Sequence, residues 1–164
     1  MLVLLLGIAG CASGPSVGEW ATTVCDALGP WRQAIVDLNE RATEQMAEAT
    51  TVEQTRQSLA ELLGGARDAT ETARAAVAAA GTPDVEGGAV AAQGFETALA
   101  RTRDAYATAQ EQLMALPEEQ DAFSDGVAEL LAQLTADYEA AGAVIAGVSS
   151  PELRGALDAA PACQ

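Results

Sequence analysis

Residues 50–84, TTVEQTRQSLAELLGGARDATETARAAVAAAGTPD, contain a complete amphipathic helix together with signals for both of its ends. Thr50 followed by Glu53 is a capping-box pattern, which predicts the first turn. Gly81 and Pro83 predict the end, because glycine readily closes a last turn and proline cannot continue it. Between these signals the apolar residues recur at helical spacing. This predicted seam is Val52, Leu59, Leu62, Ala66, Ala69, Ala73, Ala76 and Ala80.

The segment before this helix has the same apolar spacing, and it continues through Pro30. Proline removes one backbone hydrogen bond and clashes with the preceding turn, so we expect one long helix kinked at this position. Its apolar phase is Trp20, Val24, Ala27, Trp31, Ile35, Leu38, Ala42 and Ala49. In the second helix, the pair Gly64-Gly65 is expected to loosen the middle.

Three further helices follow along the chain. The third is expected to begin near Gly88 or Ala89 and to end before Pro117, and the fourth opens with the acidic residues 118–121. The predicted seams are Ala92, Phe95, Leu99, Thr102, Tyr106, Ala109, Leu113 and Leu116 in the third helix, and Phe123, Val127, Leu130, Leu134, Tyr138, Ala141, Ile145 and Val148 in the fourth. A short fifth helix is predicted to start with Ser150 as cap and to reach about Ala160.

These patterns predict an all-α fold. No segment shows strand-like alternation, and four long helices with short connections favour an up-down-up-down four-helix bundle. The first helix would be kinked, and a short C-terminal fifth helix would complete the domain. We therefore predict a signal segment over residues 1–10, a tether over 11–18 and one helical-bundle domain over 19–164.

The charge balance is strongly acidic. The 164 residues include 24 Asp and Glu against 8 basic residues, all of them Arg, which gives a net charge of −16. Such a surface repels phosphate groups, so nucleic acid and anionic lipid headgroups are not expected as partners. The acidic excess is typical of a protein kept soluble by its surface charge.

The N-terminal stretch LVLLLGI, residues 2–8, is apolar but shorter than the roughly 20 residues that a membrane-spanning helix needs. The next residues complete Ile8-Ala9-Gly10-Cys11, which resembles the lipobox of bacterial lipoproteins. This resemblance implies that residues 1–10 are removed and that the Cys11 thiol is lipidated. The protein would then be anchored to the extracytoplasmic face of the cell membrane. The alternative is a buried N-terminal helix.

Two cysteines remain if Cys11 is acylated. In an oxidising compartment Cys25 and Cys163 are expected to form a disulfide. The predicted topology agrees, because an antiparallel fourth helix ends beside the start of the first and the fifth folds back across that end. Two buried free thiols are the alternative.

Three further blocks extend the resemblance to small exported helical lipoproteins of the high-GC Gram-positive (actinobacterial) type. They are EWATTVCDALGPW at 19–31, FSDGVAELLAQL at 123–134 and SPELRGALDAAPAC at 150–163. The resemblance implies a location and an architecture. It defines no catalytic or ligand-binding residue.

The composition excludes most kinds of catalytic site. Without histidine or lysine there can be no Ser-His-Asp triad, no Glu-x-x-His di-iron site and no Schiff base. No phosphate-binding glycine loop ending in Gly-Lys occurs. We therefore expect no enzyme activity, no metal and no cofactor.

Carboxylates and tryptophans are the remaining candidates for a site. Glu40, Glu44 and Glu48 form one row at helical spacing, and Asp121, Asp125 and Glu129 form another. A row of like charges could attract a cation, but a solvated helix face is the favoured interpretation. Trp20 and Trp31 lie on the apolar phase, so core packing is favoured over an exposed binding hot spot.

Two functional hypotheses follow. The first is a non-catalytic interaction or structural module that acts on an envelope protein partner, and it predicts a filled core. The second is a carrier or sensor that binds a small apolar ligand between helices, in space left by Ala66–Ala80 and by Gly64, Gly65, Gly94 and Gly142. A cavity of about 300 Å³ or more lined by these residues would favour the second hypothesis, and a filled core would count against it.

Overall fold

The computed structural model describes residues 14–147 and 150–164, apart from the side chains of residues 145 and 146. These residues form helices and no strand, so the predicted all-α class is confirmed. The elements are α1 (Val17–Glu48), α2 (Val52–Ala79), α3 (Gly88–Ala115), α4 (Gln120–Ala146), α5 (Pro151–Ala159) and a 3-10 turn (Pro161–Cys163). The predicted α4 seam residue Val148 lies outside the described residues.

Each long helix packs against the next one in the chain. The extensive interfaces join α1 to α2, α2 to α3 and α3 to α4, while α5 and the 3-10 turn pack on α1. Trp20 near the start of α1 bonds to Gly81 just after α2, as expected for antiparallel neighbours. The predicted four-helix bundle with a short fifth helix is confirmed. Within the described ranges, however, α1 and α4 share no extensive interface.

α1 begins earlier than the predicted domain start, which shortens the tether predicted over 11–18. The Ser16 hydroxyl accepts a hydrogen bond from the Glu19 backbone, and the Glu19 carboxylate bonds back to Ser16, which completes a capping box. The backbone oxygen of Pro15 accepts a bond of 3.0 Å from the Asp84 backbone. Residues 14–16 are therefore fixed against the loop between α2 and α3.

The cap of α2 lies one residue later than predicted. Thr51 takes the N-cap position and accepts a bond from the Gln54 backbone, rather than Thr50 pairing with Glu53. Thr50 instead donates its backbone N–H to the Gln54 side chain at 2.8 Å. Gln54 fits the third helical position as well as a glutamate would. At the other end Gly81 has φ +73, so the predicted glycine termination is confirmed.

The glycine pair in α2 brings helices together and does not loosen the helix. α2 is continuous through Gly64 and Gly65. A Cβ atom on Gly65 would lie 2.6 Å from the Leu38 side chain of α1, and one on Gly64 would lie 2.9 Å from the Gln110 side chain of α3. These glycines allow α1 and α3 to approach α2 closely.

The buried stripe of α2 is broader than the predicted seam, because both α1 and α3 pack on this helix. Leu59, Ala66 and Ala73 are buried as expected, whereas Leu62 stays half-buried. The α2 residues that the seam missed and the structure buries are Arg56, Ser58, Leu63, Thr70 and Val77. In α3 the predicted seam from Ala92 to Leu113 is buried throughout.

The core consists of two clusters at opposite ends of the bundle. The first cluster contains Trp20, Ala21, Val24, Ala73, Val77, Ala91, Ala92, Phe95, Leu99 and Leu153. The second contains Leu59, Leu63, Ala66, Tyr106, Ala109, Leu113, Phe123 and Leu130. Leu153 belongs to α5, so the short fifth helix closes the bundle at the first cluster.

Candidate functional site

A cleft lies between α1 and α4, above the faces of α2 and α3. Its volume is about 640 Å³. Helices α1 and α4 form its two sides, and both contribute residues at its opening. Its lining residues are Ile35, Asn39, Leu59, Leu62, Leu63, Ala66, Tyr106, Leu113, Val127, Leu130, Leu131, Leu134, Thr135 and Tyr138.

The cleft exists because α4 packs on α3 without closing against α1. At the first core cluster α5 supplies the fourth side of the bundle, and within residues 14–147 and 150–164 no short helix does so at the second. The apolar faces of α1 and α4 therefore remain partly uncovered, with Ile35, Val127 and Leu134 only half-buried. Leu131 at the opening is 48% exposed.

No charged side chain of the described residues lines the cleft. Four of its lining residues carry polar groups, and two of these are already bonded within their own helices. The Asn39 amide donates to the Ile35 carbonyl and the Thr135 hydroxyl donates to the Leu131 carbonyl, both at 2.8 Å. The Asn39 amide keeps its oxygen and a second N–H, and the hydroxyls of Tyr106 and Tyr138 are the other polar groups of the lining.

Tyr106 of α3 and Tyr138 of α4 bond to each other through their hydroxyl groups. Their rings meet edge to face, with centroids 5.7 Å apart. Burial raises the pKa of both phenols above the ordinary value, so both are neutral at physiological pH. Two neutral hydroxyls that share one hydrogen bond retain one further proton that can be donated.

The tyrosine pair marks one end of the cleft. On α3 the lining residues are Tyr106 and Leu113, and on α4 they extend from Val127 to Tyr138. Because these helices are antiparallel, the tyrosines share one end and Leu113 and Val127 share the other. The roughly 11 residues of α4 along the cleft correspond to a length of about 16 Å at about 1.5 Å per residue.

Arg56 stabilises the end opposite the tyrosines. Its guanidinium donates to the backbone oxygens of Leu113, Leu116 and Pro117 at 2.8, 3.0 and 3.2 Å. It also lies over the Phe123 ring, 5.0 Å from the centroid. One buried cation thus joins α2 to the end of α3 and the start of α4.

Both tryptophans pack inside the bundle. Trp20 is fully buried in the first cluster, which confirms the core interpretation for that residue. Trp31 is half-buried, and its indole N–H donates to the Thr70 hydroxyl at 2.9 Å. Thr70 in turn donates to the Ala66 carbonyl at 2.7 Å, next to the tyrosine end of the cleft.

The predicted carboxylate rows lie away from the cleft. Glu40, Glu44 and Glu48 on α1 are exposed, and so are Asp121, Asp125 and Glu129 on α4. Over the part of the chain that the structure describes, no group of three His, Cys, Asp or Glu residues is placed to hold a metal ion.

Cys25 and Cys163 are joined as a disulfide, with Cα atoms 5.1 Å apart, so their predicted proximity is confirmed. The bond fastens the 3-10 turn to α1 beside the first core cluster. The predicted lipidation residue Cys11 lies outside the described residues.

The larger cleft is not where the small residues predicted space, although a smaller hollow lies beside some of them. Of the segment Ala66–Ala80 only Ala66 lines the cleft, whereas Ala73 and Val77 are packed in the first cluster. A smaller hollow of about 330 Å³ lies between α1 and α2, lined in part by Trp31, Ala69 and Ala76.

The cleft could have been found from a different signal in the sequence. Leu130 and Leu131 are adjacent in α4, so its apolar face is wider than one seam. A face that is too wide for one neighbour indicates a second contact or an opening.

No protein-family model, curated protein or solved structure compared with the chain matches it. Among the described residues no helix is both long and apolar enough to cross a membrane.

Proposed function

We propose that this protein is an envelope lipoprotein that binds a small apolar ligand in the cleft between α1 and α4, as a carrier or a sensor. The observation that supports this proposal most directly is the cleft itself. Its volume of about 640 Å³ lies within the range of about 300–1,000 Å³ that small-molecule sites occupy. Its lining also has the usual composition, mostly apolar with a few converging polar groups.

The alternative of a non-catalytic interaction or structural module predicts a filled core, and the cleft is at odds with that expectation. Leaving leucine side chains partly exposed costs about 25 cal/mol for each Å² of apolar surface in contact with water. A ligand that covers Leu131, Leu134 and Val127 would recover this free energy.

Sequence features support the envelope location. The segment Ile8-Ala9-Gly10-Cys11 resembles a lipobox, and a disulfide between Cys25 and Cys163 suits an oxidising compartment. The cleft begins roughly 18 residues after the start of α1, which corresponds to about 27 Å along the helix.

Binding can be tested with the neutral fluorophore 1-N-phenylnaphthylamine and the disulfide-bonded domain. We expect saturable fluorescence enhancement with one site per chain. Leu134→Trp places a larger ring in the cleft and should weaken the probe about tenfold or more, because the ring occupies space that the ligand needs. Ala132→Trp is the matched control, since Ala132 is an exposed residue of α4 outside the lining.

Two results would contradict the binding proposal. One is the absence of saturable binding to the wild-type domain. The other is equal affinity for the probe in Leu134→Trp and Ala132→Trp while circular dichroism shows both variants folded.

The anchor can be tested separately by mass spectrometry of protein extracted from membranes. We expect an N-terminal Cys11 that carries acyl chains, and a Cys11→Ser variant should leave the membrane fraction. An unacylated chain that retains residues 1–10 would contradict the location without bearing on the cleft.

A further inference from the structure

We infer that the ligand is an uncharged single-chain amphiphile, whose hydrogen-bond acceptor meets the Tyr106–Tyr138 pair while its hydrocarbon chain lies along the leucines. This inference rests on the proposed function and specifies the chemistry of the ligand.

The first argument is charge. The part of the chain that the structure describes contributes no charged residue to the lining, and the whole chain carries a net charge of −16. An anionic headgroup would be buried without a cation, which is costly. The nearest buried cation, Arg56, is already bonded to three backbone oxygens at the end opposite the tyrosines. Among the described residues, a carboxylate or phosphate would therefore have no lining cation to pair with.

The second argument is the spare proton. Within the described ranges, the hydroxyls of Tyr106 and Tyr138 bond to each other and to no other group. One of their two protons thus lacks an acceptor in the protein. A carbonyl, ether or hydroxyl oxygen on a ligand would accept it.

The third argument is shape. The polar pair lies at one end of a cleft about 16 Å long whose remaining walls are mainly leucine, isoleucine and valine side chains. If each non-hydrogen atom takes about 30 Å³, the cleft holds roughly 20 atoms. A chain with one polar end matches this distribution better than a molecule with polar groups at both ends.

The experiment compares two competitors of equal chain length for displacement of 1-N-phenylnaphthylamine at pH 7.5. 2-Decanone is neutral and accepts a hydrogen bond, whereas decanoate is an anion. We expect 2-decanone to bind about tenfold more tightly, since the anion must be desolvated without a cation.

The tyrosine pair is tested with the double variant Tyr106→Phe/Tyr138→Phe. Removing both hydroxyls leaves no unpaired group in the protein and preserves the rings, so the fold should persist. The affinity for 2-decanone should fall about three- to tenfold, because its oxygen loses the donor. Thr23→Val is the control, since the Thr23 hydroxyl is exposed on α1 outside the cleft lining and is bonded to the Glu19 carbonyl, so its removal should leave the affinity unchanged.

The outcomes separate the two proposals. If the fluorophore does not bind, the proposed function fails. If it binds but decanoate competes as well as 2-decanone, the proposed function stands and the inference that the ligand is uncharged is wrong. If the double variant keeps full affinity for 2-decanone, the role of the tyrosines is wrong. Dimerisation through the cleft, detected by sedimentation and reversed by the fluorophore, would assign the cleft to a second copy and overturn both proposals.

Discussion

Arg56 is the most thoroughly buried charge among the described residues, with 4% of its surface exposed. The last carbonyl groups of a helix have no hydrogen-bond partner within the helix. At the end of α3 the Arg56 guanidinium supplies this partner. Its salt bridge to Glu53 is made by the guanidinium Nε at 3.4 Å, so the two terminal nitrogens stay available for the carbonyls.

We predict that Arg56→Met destabilises the domain by about 2–4 kcal/mol, because the methionine has the length of arginine but leaves buried carbonyls unsatisfied. The measurement is urea unfolding followed by circular dichroism. Arg32→Met is the control, because Arg32 is exposed and makes one bond of 2.6 Å to Ala162. It should cost less than about 1 kcal/mol, and equal losses for the two variants would contradict the role of Arg56.

Glu71 pairs with Arg74 of its own helix and with Arg103 of α3, and the second bond joins α2 to α3. Its carboxylate oxygens lie 2.7 Å from Arg74 and 2.8 Å from Arg103. Hydrogen bonds from Arg74 and then Arg103 lower the pKa of Glu71 from 4.5 to about 2. Since the folded pKa lies below the unfolded one, the contribution is complete above pH 4.5 and is lost as the pH falls toward 2.

We therefore predict that Glu71→Gln lowers Tm relative to the wild type at pH 6 and that this difference shrinks between pH 4.5 and about 2. Thermal unfolding across this range is the measurement. Glu139→Gln removes the same charge from an exposed position of α4. Its Tm should differ less from that of the wild type, and this difference should change little with pH. A Glu71→Gln deficit independent of pH would show that the ion pair is not its cause.

Within the helices, the space around each glycine shows whether that face of the helix is packed against a neighbour. Gly65 in α2 lies against Leu38, whereas a Cβ atom at Gly142 in α4 would meet nothing within 4 Å. The same residue type thus allows close helix approach on α2 and only weakens the helix on α4.

We predict opposite effects at these two glycines. Gly142→Ala should stabilise the domain by about 0.5–1 kcal/mol through helix propensity alone. Gly65→Val should destabilise it by about 1–3 kcal/mol, because the added carbons overlap Leu38 and separate α1 from α2. Chemical denaturation measures both changes, and a stabilising Gly65→Val would mean that the close approach of α1 and α2 is not maintained in solution.

For the whole molecule, the two ends of the bundle are built differently. α5 and the disulfide close the end that holds the first core cluster, while at the end that holds the second α1 and α4 both pack beside α2 and α3 and leave the cleft between them. The closed end is thus separate from the proposed binding site.

We predict that Cys25→Ser/Cys163→Ser destabilises the domain by up to about 5 kcal/mol, since the bond closes a loop with a sequence separation of 138. Hydrogen exchange should show that the amides of α5 lose protection first. The affinity for 1-N-phenylnaphthylamine should persist as long as the bundle is folded, because the cleft lies at the other cluster. Loss of probe binding with α5 still protected would contradict this separation.

Much of the fold could be predicted from local features of the sequence. The α3 seam, the Gly81 termination and the Ser150–Pro151 start were predicted correctly, because each depends on residues within a turn or two of one another. The α2 cap was displaced by one residue because Thr50 and Thr51 offer the same hydroxyl. The cleft was not located, because a half-buried leucine and a buried one look alike in a sequence.

The sequence by itself determined the helices and their order, since periodicity, end signals and short connections act locally along the chain, and it left both a disulfide and free thiols open for Cys25 and Cys163. Only the tertiary structure decided that α4 packs on α3 but not extensively on α1, and that α1 and α3 approach α2 closely at Gly65 and Gly64. It also decided that Tyr106 meets Tyr138. These features depend on the angles and spacings between helices, which arise from all the side chains packed between them and from no single segment.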